Sequence, residues 1–310
     1  MSVLSMDGVT KRFGAITAVD NLVMHVEQGE IFGFLGGNGA GKTTSLRMVL
    51  DIIRPTEGTI SVMGLPPGQE NADRIGFLPE ERGLYPNMRA IDTIIYFGEL
   101  KGMSPRDARA EGMALLERFD LADRASSPIS DMSKGMAQKV QLATALVNSP
   151  DLLILDEPFS GLDPVNQQLL EAEIVRAAAR GAAVVFSTHI MQHAERLCDR
   201  LLILRKGEKK FEGDLAAAQA LVPPTVRITT TADLTARPNV AAARVVDRDG
   251  DWTRYEVDLV EGSDPAKLLE AMTRDGVPLR GFEARHAALH DIFVHLVGHD
   301  ADAQAQGEAA

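Results

Sequence analysis

Short, almost wholly apolar runs recur along the first two thirds of the chain: Ile31-Phe32-Gly33-Phe34-Leu35, Leu152-Leu153-Ile154-Leu155 and Ala183-Val184-Val185-Phe186. Runs of this length without polar alternation predict strands buried on both faces, the pattern of a parallel sheet. Ile75-Gly76-Phe77-Leu78 and residues 200–204 add two more strands. Between them the spacing changes to that of helices. Leu46, Val49, Leu50 and Ile53 follow the first run, Leu170, Ile174 and Val175 lie within a helix over 167–180 closed by Gly181, and residues 190–198 form another. Strands alternating with helices imply a sheet covered on both faces, with polar residues at the strands' C-terminal ends meeting along one edge.

Two stretches depart from that alternation. Residues 9–13, 22–26 and 59–63 read as short strands of a flanking antiparallel sheet. Residues 91–146 are helical throughout, with Ile91, Ile94 and Ile95, then Ala108, Met113, Leu115 and Leu116, as apolar positions. They predict an inserted helical region projecting from the main sheet. After Val222-Pro223-Pro224 the texture changes again. A strand over 225–231, a hairpin of 242–246 with 255–260, a helix opened by Asp264-Pro265 with Leu268, Leu269 and Met272 inward, a strand over 279–284 and a helix over 289–296 make a small α+β unit. The expected organisation is therefore an α/β domain over 1–221, with its helical part at about 84–148, an accessory α+β domain over 222–298, and a disordered tail over 299–310 of Ala, Gln, Gly and acids.

Composition narrows the class. At 310 residues and 45% apolar content, one large and one small domain can each bury a core. Lys+Arg 32 against Asp+Glu 44 leaves a net charge of -12, which disfavours nucleic acid as the main partner. The chain has no apolar run of about 18 residues, so no membrane span is expected, and residues 1–14 do not read as a leader. A cytoplasmic protein is the expectation. The single Cys198 has no second cysteine to pair with and no nearby ligand set, so it reads as a small buried apolar side chain.

The strongest chemical pattern is Gly36-Gly37-Asn38-Gly39-Ala40-Gly41-Lys42-Thr43-Thr44, a G-x-x-x-x-G-K-[ST] loop between a buried strand and a helix. Its glycines let successive backbone N–H groups point into one concavity, and the following helix adds its positive end. Lys42 would reach the outer phosphates of a nucleoside triphosphate, and the Thr43 hydroxyl would hold Mg²⁺. Asp156 and Glu157 end a buried strand. The first can hold Mg²⁺ directly or through water, and the second can orient and deprotonate the attacking water. His189 ends the next buried strand and can donate to the terminal phosphate, and Phe13 can stack on a purine ring. The other six histidines read as structural.

Together these residues resemble the ATP-binding cassette (ABC) ATPases over about Phe13 to Gly213. The most specific part is Ser133-Lys134-Gly135-Met136 upstream of Leu155-Asp156-Glu157-Pro158, joined by Ser160-Gly161-Leu162-Asp163-Pro164 and Thr188-His189. The resemblance implies a phosphate-loop NTPase fold of ABC type, with ATP and Mg²⁺ as cofactors. It also implies that Ser133 and Gly135 contact the γ-phosphate held by the other subunit, that Asp163 belongs to the loop through which subunits communicate and counts with the ATP-binding residues, and that His189 is the switch histidine. Three positions depart from the family pattern. Gly37 stands where Pro is usual, Lys134-Gly135-Met136 where Gly-Gly-Gln is usual, and Glu80 where a Mg²⁺-sensing Gln is usual.

The run Gly76-Phe77-Leu78-Pro79-Glu80-Glu81-Arg82-Gly83-Leu84-Tyr85-Pro86, with Leu289-His290-Asp291-Ile292-Phe293 near the end, resembles a narrower branch. That branch holds ATPase subunits of bacterial exporters, including sodium-efflux-type proteins. It implies a second nucleotide-binding subunit forming a homodimer, a separately encoded integral membrane permease, no nucleic-acid partner, and a place on the inner face of the cell membrane. The alternative, a soluble ABC ATPase acting on ribosomes or nucleic acid, usually carries paired cassettes or coiled-coil arms; this chain has one cassette and neither arm. A regulator that binds ATP without turnover is disfavoured by the presence of Lys42, Asp156, Glu157 and His189 together.

Overall fold

The computed structural model describes residues 2–81, 83–222, 225–235, 237, 239–260, 263–285 and 287–297. It divides into two compact units, Met1–Asp214 and Leu215–Ala310. In chain order the first contains β1 (Ser2–Phe13), β2 (Ile16–Glu27), β3 (Ile31–Gly36), α1 (Lys42–Val49), β4 (Glu57–Val62), β5 (Ile75–Leu78), α2 (Ala90–Leu100), α3 (Pro105–Arg118), α4 (Lys134–Leu146), β6 (Leu152–Asp156), α5 (Pro164–Ala179), β7 (Ala183–Thr188), α6 (Met191–Leu197), β8 (Arg200–Arg205) and β9 (Glu208–Gly213).

The unalternated apolar runs become the centre of a six-stranded sheet in the order β5-β6-β7-β3-β8-β9. Every residue of β3, β6 and β7 is buried, as strands covered on both faces require. The first five strands are parallel and only the β8–β9 pairing is antiparallel. Phe32, Phe34, Ile154, Val185 and Leu202 share one core, in which each fully buried side chain contributes about 1.5–3 kcal/mol. Close packing leaves no room for a side chain at Gly33, where a Cβ would stand 2.5 Å from Cys198 Sγ. Burial there pushes the Cys198 thiol well above its ordinary pKa, in keeping with an unreactive packing role.

The remaining early strands form the antiparallel sheet β2-β1-β4, and Leu4, Met6, Val9, Val19 and Leu22 place it in the same core. A backbone bond from Asp20 N to Gly207 O (2.9 Å) joins it to the β8–β9 turn. The helical region stands between β5 and β6, as the interrupted alternation predicts. Its helices approach closely at small residues: a Cβ at Gly98 would lie 2.8 Å from Ala108 Cβ, and one at Gly112 3.0 Å from Ile94.

The second unit contains α7 (Leu215–Gln219), β10 (Thr225–Thr230), β11 (Val240–Asp249), β12 (Trp252–Leu259), α8 (Pro265–Arg274), β13 (Leu279–Arg285) and a helix α9 over 289–297. Its sheet runs β11-β12-β10-β13, antiparallel at every pairing. Asp264 caps α8 by accepting from Ala266 N at 2.8 Å. Leu268 and Met272 pack on Val226, Ile228, Tyr255 and Val257. Leu269, expected inward, is exposed because the apolar stripe of α8 is narrower than its sequence spacing implied. The hairpin is also longer than expected, with its turn shortened to Gly250 and Asp251. Grouping α7 with this unit sets the division at Asp214 and Leu215, ahead of the expected 221/222. The tail expected over 299–310 lies outside the described residues.

Candidate functional site

The β3–α1 loop leaves the sheet at its C-terminal edge because its glycines permit backbone that other residues resist. Gly41 has φ +107°, and a Cβ there would sit 2.5 Å from Ala18 O, so this position requires glycine on two grounds. Gly36 is confined by Leu204 O, which a Cβ would meet at 2.7 Å. At Gly37 no described atom lies within 4 Å of a Cβ, so this departure from the family pattern costs no packing. In the first backbone hydrogen bond of α1 Ser45 N donates to Gly41 O (2.9 Å), which leaves the amides of Lys42, Thr43 and Thr44 without intrahelical acceptors. With the helix dipole they form an anion-binding end.

These residues line a cavity of about 410 Å³ with Ala18, Gly37, Asn38, Gly39, Ala40, Gly41, Lys42, Thr43, Thr44, Glu80, Glu157 and His189 on its walls. Lys42 Nζ donates to Gly36 O (2.7 Å) and stands 3.2 Å from Glu157 Oε1. Both side chains of that pair are nearly inaccessible, at 7% and 8% exposure, so removal of either leaves a buried charge unmatched.

The carboxylates at the end of β6 are held from β7. Ser187 Oγ donates to Asp156 Oδ1 at 2.5 Å and accepts from Glu157 N at 2.9 Å. Asp156 Oδ1 also accepts from Thr43 Oγ1 at 3.3 Å, which ties β6 to the start of α1. Glu157 has φ +47°, a left-handed conformation that costs a non-glycine residue about 1–3 kcal/mol. Its carboxylate spans Lys42 and His189, whose Nδ1 lies 2.8 Å from Oε2. His189 is half exposed and faces the cavity. Lys42, Thr43, Asp156, Glu157 and His189 thus meet at one edge, from β3, β6 and β7.

Five expected ATP-binding residues do not line this cavity: Gly36, packed beneath the loop against Leu204 O, and Phe13, Ser133, Gly135 and Asp163. Phe13 ends β1 half exposed, with Lys11 Nζ 4.9 Å from its ring centroid. Ser133 caps α4 by accepting from Met136 N at 3.3 Å, and is exposed. A Cβ at Gly135 would lie 2.9 Å from Asn166 Nδ2, and that amide donates to Asp163 Oδ2 at 2.6 Å. The backbone N–H of Asn166 and, after it, its side chain hold the Asp163 carboxyl below its ordinary pKa. Lys134 Nζ lies beside Gly161, 2.7 Å from the place of a Cβ. The start of α4 and the 160–163 loop therefore form one exposed surface apart from the phosphate cavity.

The donors suited to a divalent cation are all oxygens: the Thr43 hydroxyl and the carboxylates of Asp156 and Glu80. That set fits Mg²⁺, which prefers oxygen and keeps several waters. Among the described residues no cluster of three or more His, Cys, Asp or Glu forms a cage.

Ser187, Ala18, Gln141 and Asn166 were not singled out from sequence. Gln141 of α4 donates to Glu81 O (3.2 Å), linking the helical region to the loop that carries Glu80. Ser187 had one signal: a hydroxyl on a wholly buried strand needs a partner. Ala18 contributes backbone, which leaves no mark in a sequence.

Comparison with known proteins agrees with this geometry. The ABC transporter family matches residues 19–160. An ABC transporter ATP-binding protein of Bacillus subtilis, YhaQ, is 39% identical over 297 residues, covering 96% of this chain and 99% of that protein. A Nod factor export ATP-binding protein I of Burkholderia lata is 36% identical, covering 94% of this chain and 96% of its own. Among solved structures, the ATP-binding cassette MJ0796, a dimer in a post-hydrolysis state bound to ADP and Pi, superposes with a TM-score of 0.62 at 25% identity, covering 68% of this chain and 98% of that one.

Proposed function

Because the chain belongs to the ABC transporter ATP-binding family and is an ATPase, we propose that it is the ATP-hydrolysing subunit of an exporter. Two copies pair head to tail around ATP and drive a separately encoded membrane permease. The observation that carries this reading is the split between the phosphate cavity and the exposed Ser133–Gly135–Asp163 surface. A cassette that closes only against a second copy would place a partner's α4 N-terminus over its own phosphates, where amides and a hydroxyl stabilise anionic charge. The dimeric cassette bound to ADP and Pi supports the pairing, and the Nod factor export relative supports the direction.

Within each site Lys42 and the α1 amides hold the phosphates. Asp156, Thr43 and Glu80 would hold Mg²⁺, which when bound neutralises phosphate charge. Glu157 orients water and accepts its proton, while His189 positions the terminal phosphate and steadies the Glu157 carboxylate through Nδ1. The helical region transmits closure to the permease. Tyr85, Tyr96 and Leu100 are exposed there, an apolar surface suited to a protein partner. Among the described residues no helix is long and apolar enough to cross a membrane. The test is to purify the chain from its native membranes and identify what accompanies it. An integral membrane protein supports the export reading; ribosomes or DNA with no membrane protein overturn it.

A further inference from the structure

The second unit holds a cavity of about 360 Å³, near the 410 Å³ of the phosphate cavity. It lies on the sheet face away from α8, where the register places Asp247, Arg254, Thr229 and Gly281 side by side across four strands. Thr229 and Gly281 are short, so that row is low on its β10–β13 side. The tip of the β11–β12 hairpin closes over it, and Arg280 of β13 donates to Asp249 of β11 at 2.9 Å. Trp252, Arg254 and Asp247 complete the wall.

Two acids and two arginines line this cavity, and their pairings are unequal. Of the other arginines on and beside this face, Arg244 pairs with Asp258, Arg280 with Asp249 and Arg285 with Glu283, while Arg227 meets Glu256 only at 3.5 Å and its Nε has no partner among the described residues. Arg254 Nη1 has only Asp247 Oδ2 at 4.0 Å, an ion pair beyond hydrogen-bond reach. Trp252, half-buried, also lines the cavity, and its indole N–H makes no hydrogen bond to a described residue. A planar guanidinium fork and an indole N–H, both without acceptors beside an aromatic face, match a carboxylate with an apolar or aromatic body.

We propose that this cavity of the second unit binds a small organic carboxylate, taken by the Arg254 fork and the Trp252 N–H with its body against the indole. Its volume is at the small end of the range for ligand sites, about 300–1,000 Å³. Glycine at 281 keeps the floor open. A Cβ there would meet Thr229 Oγ1 at 3.5 Å, an ordinary contact, so a larger residue fills the cavity without straining the sheet.

Trp252 is the only tryptophan in the chain, so its fluorescence reports this cavity alone. The full-length protein is titrated with benzoate up to about 10 mM, ten times the dissociation constant of a weak millimolar site, with neutral benzamide as the control. The expected result is a saturable change with benzoate and none with benzamide, weakened about tenfold or more in Arg254→Met and abolished in Gly281→Val. Thermal unfolding of each variant confirms that it folds. No saturable response to benzoate overturns the site, as does an unchanged response in folded Gly281→Val. An equal response to benzamide overturns the assignment of a carboxylate.

Discussion

Ser187 Oγ stands 2.5 Å from Asp156 Oδ1 and takes the amide hydrogen of the next residue, Glu157, at 2.9 Å. One buried hydroxyl thus fixes two neighbouring carboxylates for which different tasks are proposed. Ser187→Ala leaves the Glu157 N–H without that acceptor and Asp156 without that donor, at a position that is itself fully buried. The expected cost is about 1–3 kcal/mol in urea unfolding. Turnover at saturating Mg-ATP should fall as well, since the Glu157 backbone is held in its left-handed conformation partly by this bond.

Glu157→Gln keeps the shape of the side chain and removes both its charge and its basicity. ATP hydrolysis should fall by about 10²- to 10⁴-fold, the usual contribution of a general base. Nucleotide binding should persist, so with Mg-ATP the variant should accumulate as a dimer by light scattering. A protein that stays monomeric at high concentration rules out the head-to-tail pairing.

Lys42→Ala removes the cation that pairs with Glu157 at 3.2 Å. Hydrolysis should be lost. The stranded carboxylate should destabilise the fold by about 3–5 kcal/mol, which calorimetry can measure. Unchanged hydrolysis would sink the assigned site.

Two glycines of the phosphate loop should respond differently to alanine. Gly41→Ala forces φ +107° on a residue with a Cβ and drives that atom into Ala18 O, so about 1–3 kcal/mol or more should be lost together with nucleotide affinity. Gly37→Ala meets open space at ordinary φ and should stay within about 0.5 kcal/mol of the parent. Thermal unfolding with and without ATP separates the two.

Cys198 gives a pH-dependent prediction. Burial raises its pKa in the folded chain, so the neutral thiol is the form the fold accepts. This contribution to stability is fully present below the ordinary thiol pKa and is lost as pH rises above it toward the folded value. A thiol reagent at mildly alkaline pH should label the unfolded chain readily and the native chain hardly at all.

The buried strands and the phosphate loop were legible because their physics is local. Four or five apolar residues in a row have to be covered on both sides, and a G-x-x-x-x-G-K-[ST] loop leaving such a strand has few conformations open to it. Leu269 shows the limit: helical spacing placed it inward, but how much of α8 is covered depends on the width of the sheet beneath. Gln141 shows another limit, since its bond to Glu81 O crosses a chain separation that no periodicity records.

From the order of its residues alone, this chain determined a mainly parallel sheet with an inserted helical region, a second α+β unit, and Lys42, Asp156, Glu157 and His189 at strand ends or the loop beside them. Each depends on burial patterns or glycine conformations within a few neighbouring residues. The tertiary structure decided which charges meet. It set Glu157 between Lys42 and His189, put Ser187 beneath both carboxylates, held Ser133 and Asp163 outside the cavity, and left Arg254 without a hydrogen-bonding acid. Such pairings depend on distances of a few ångströms between strands remote in sequence, and those distances arise only when the sheets close.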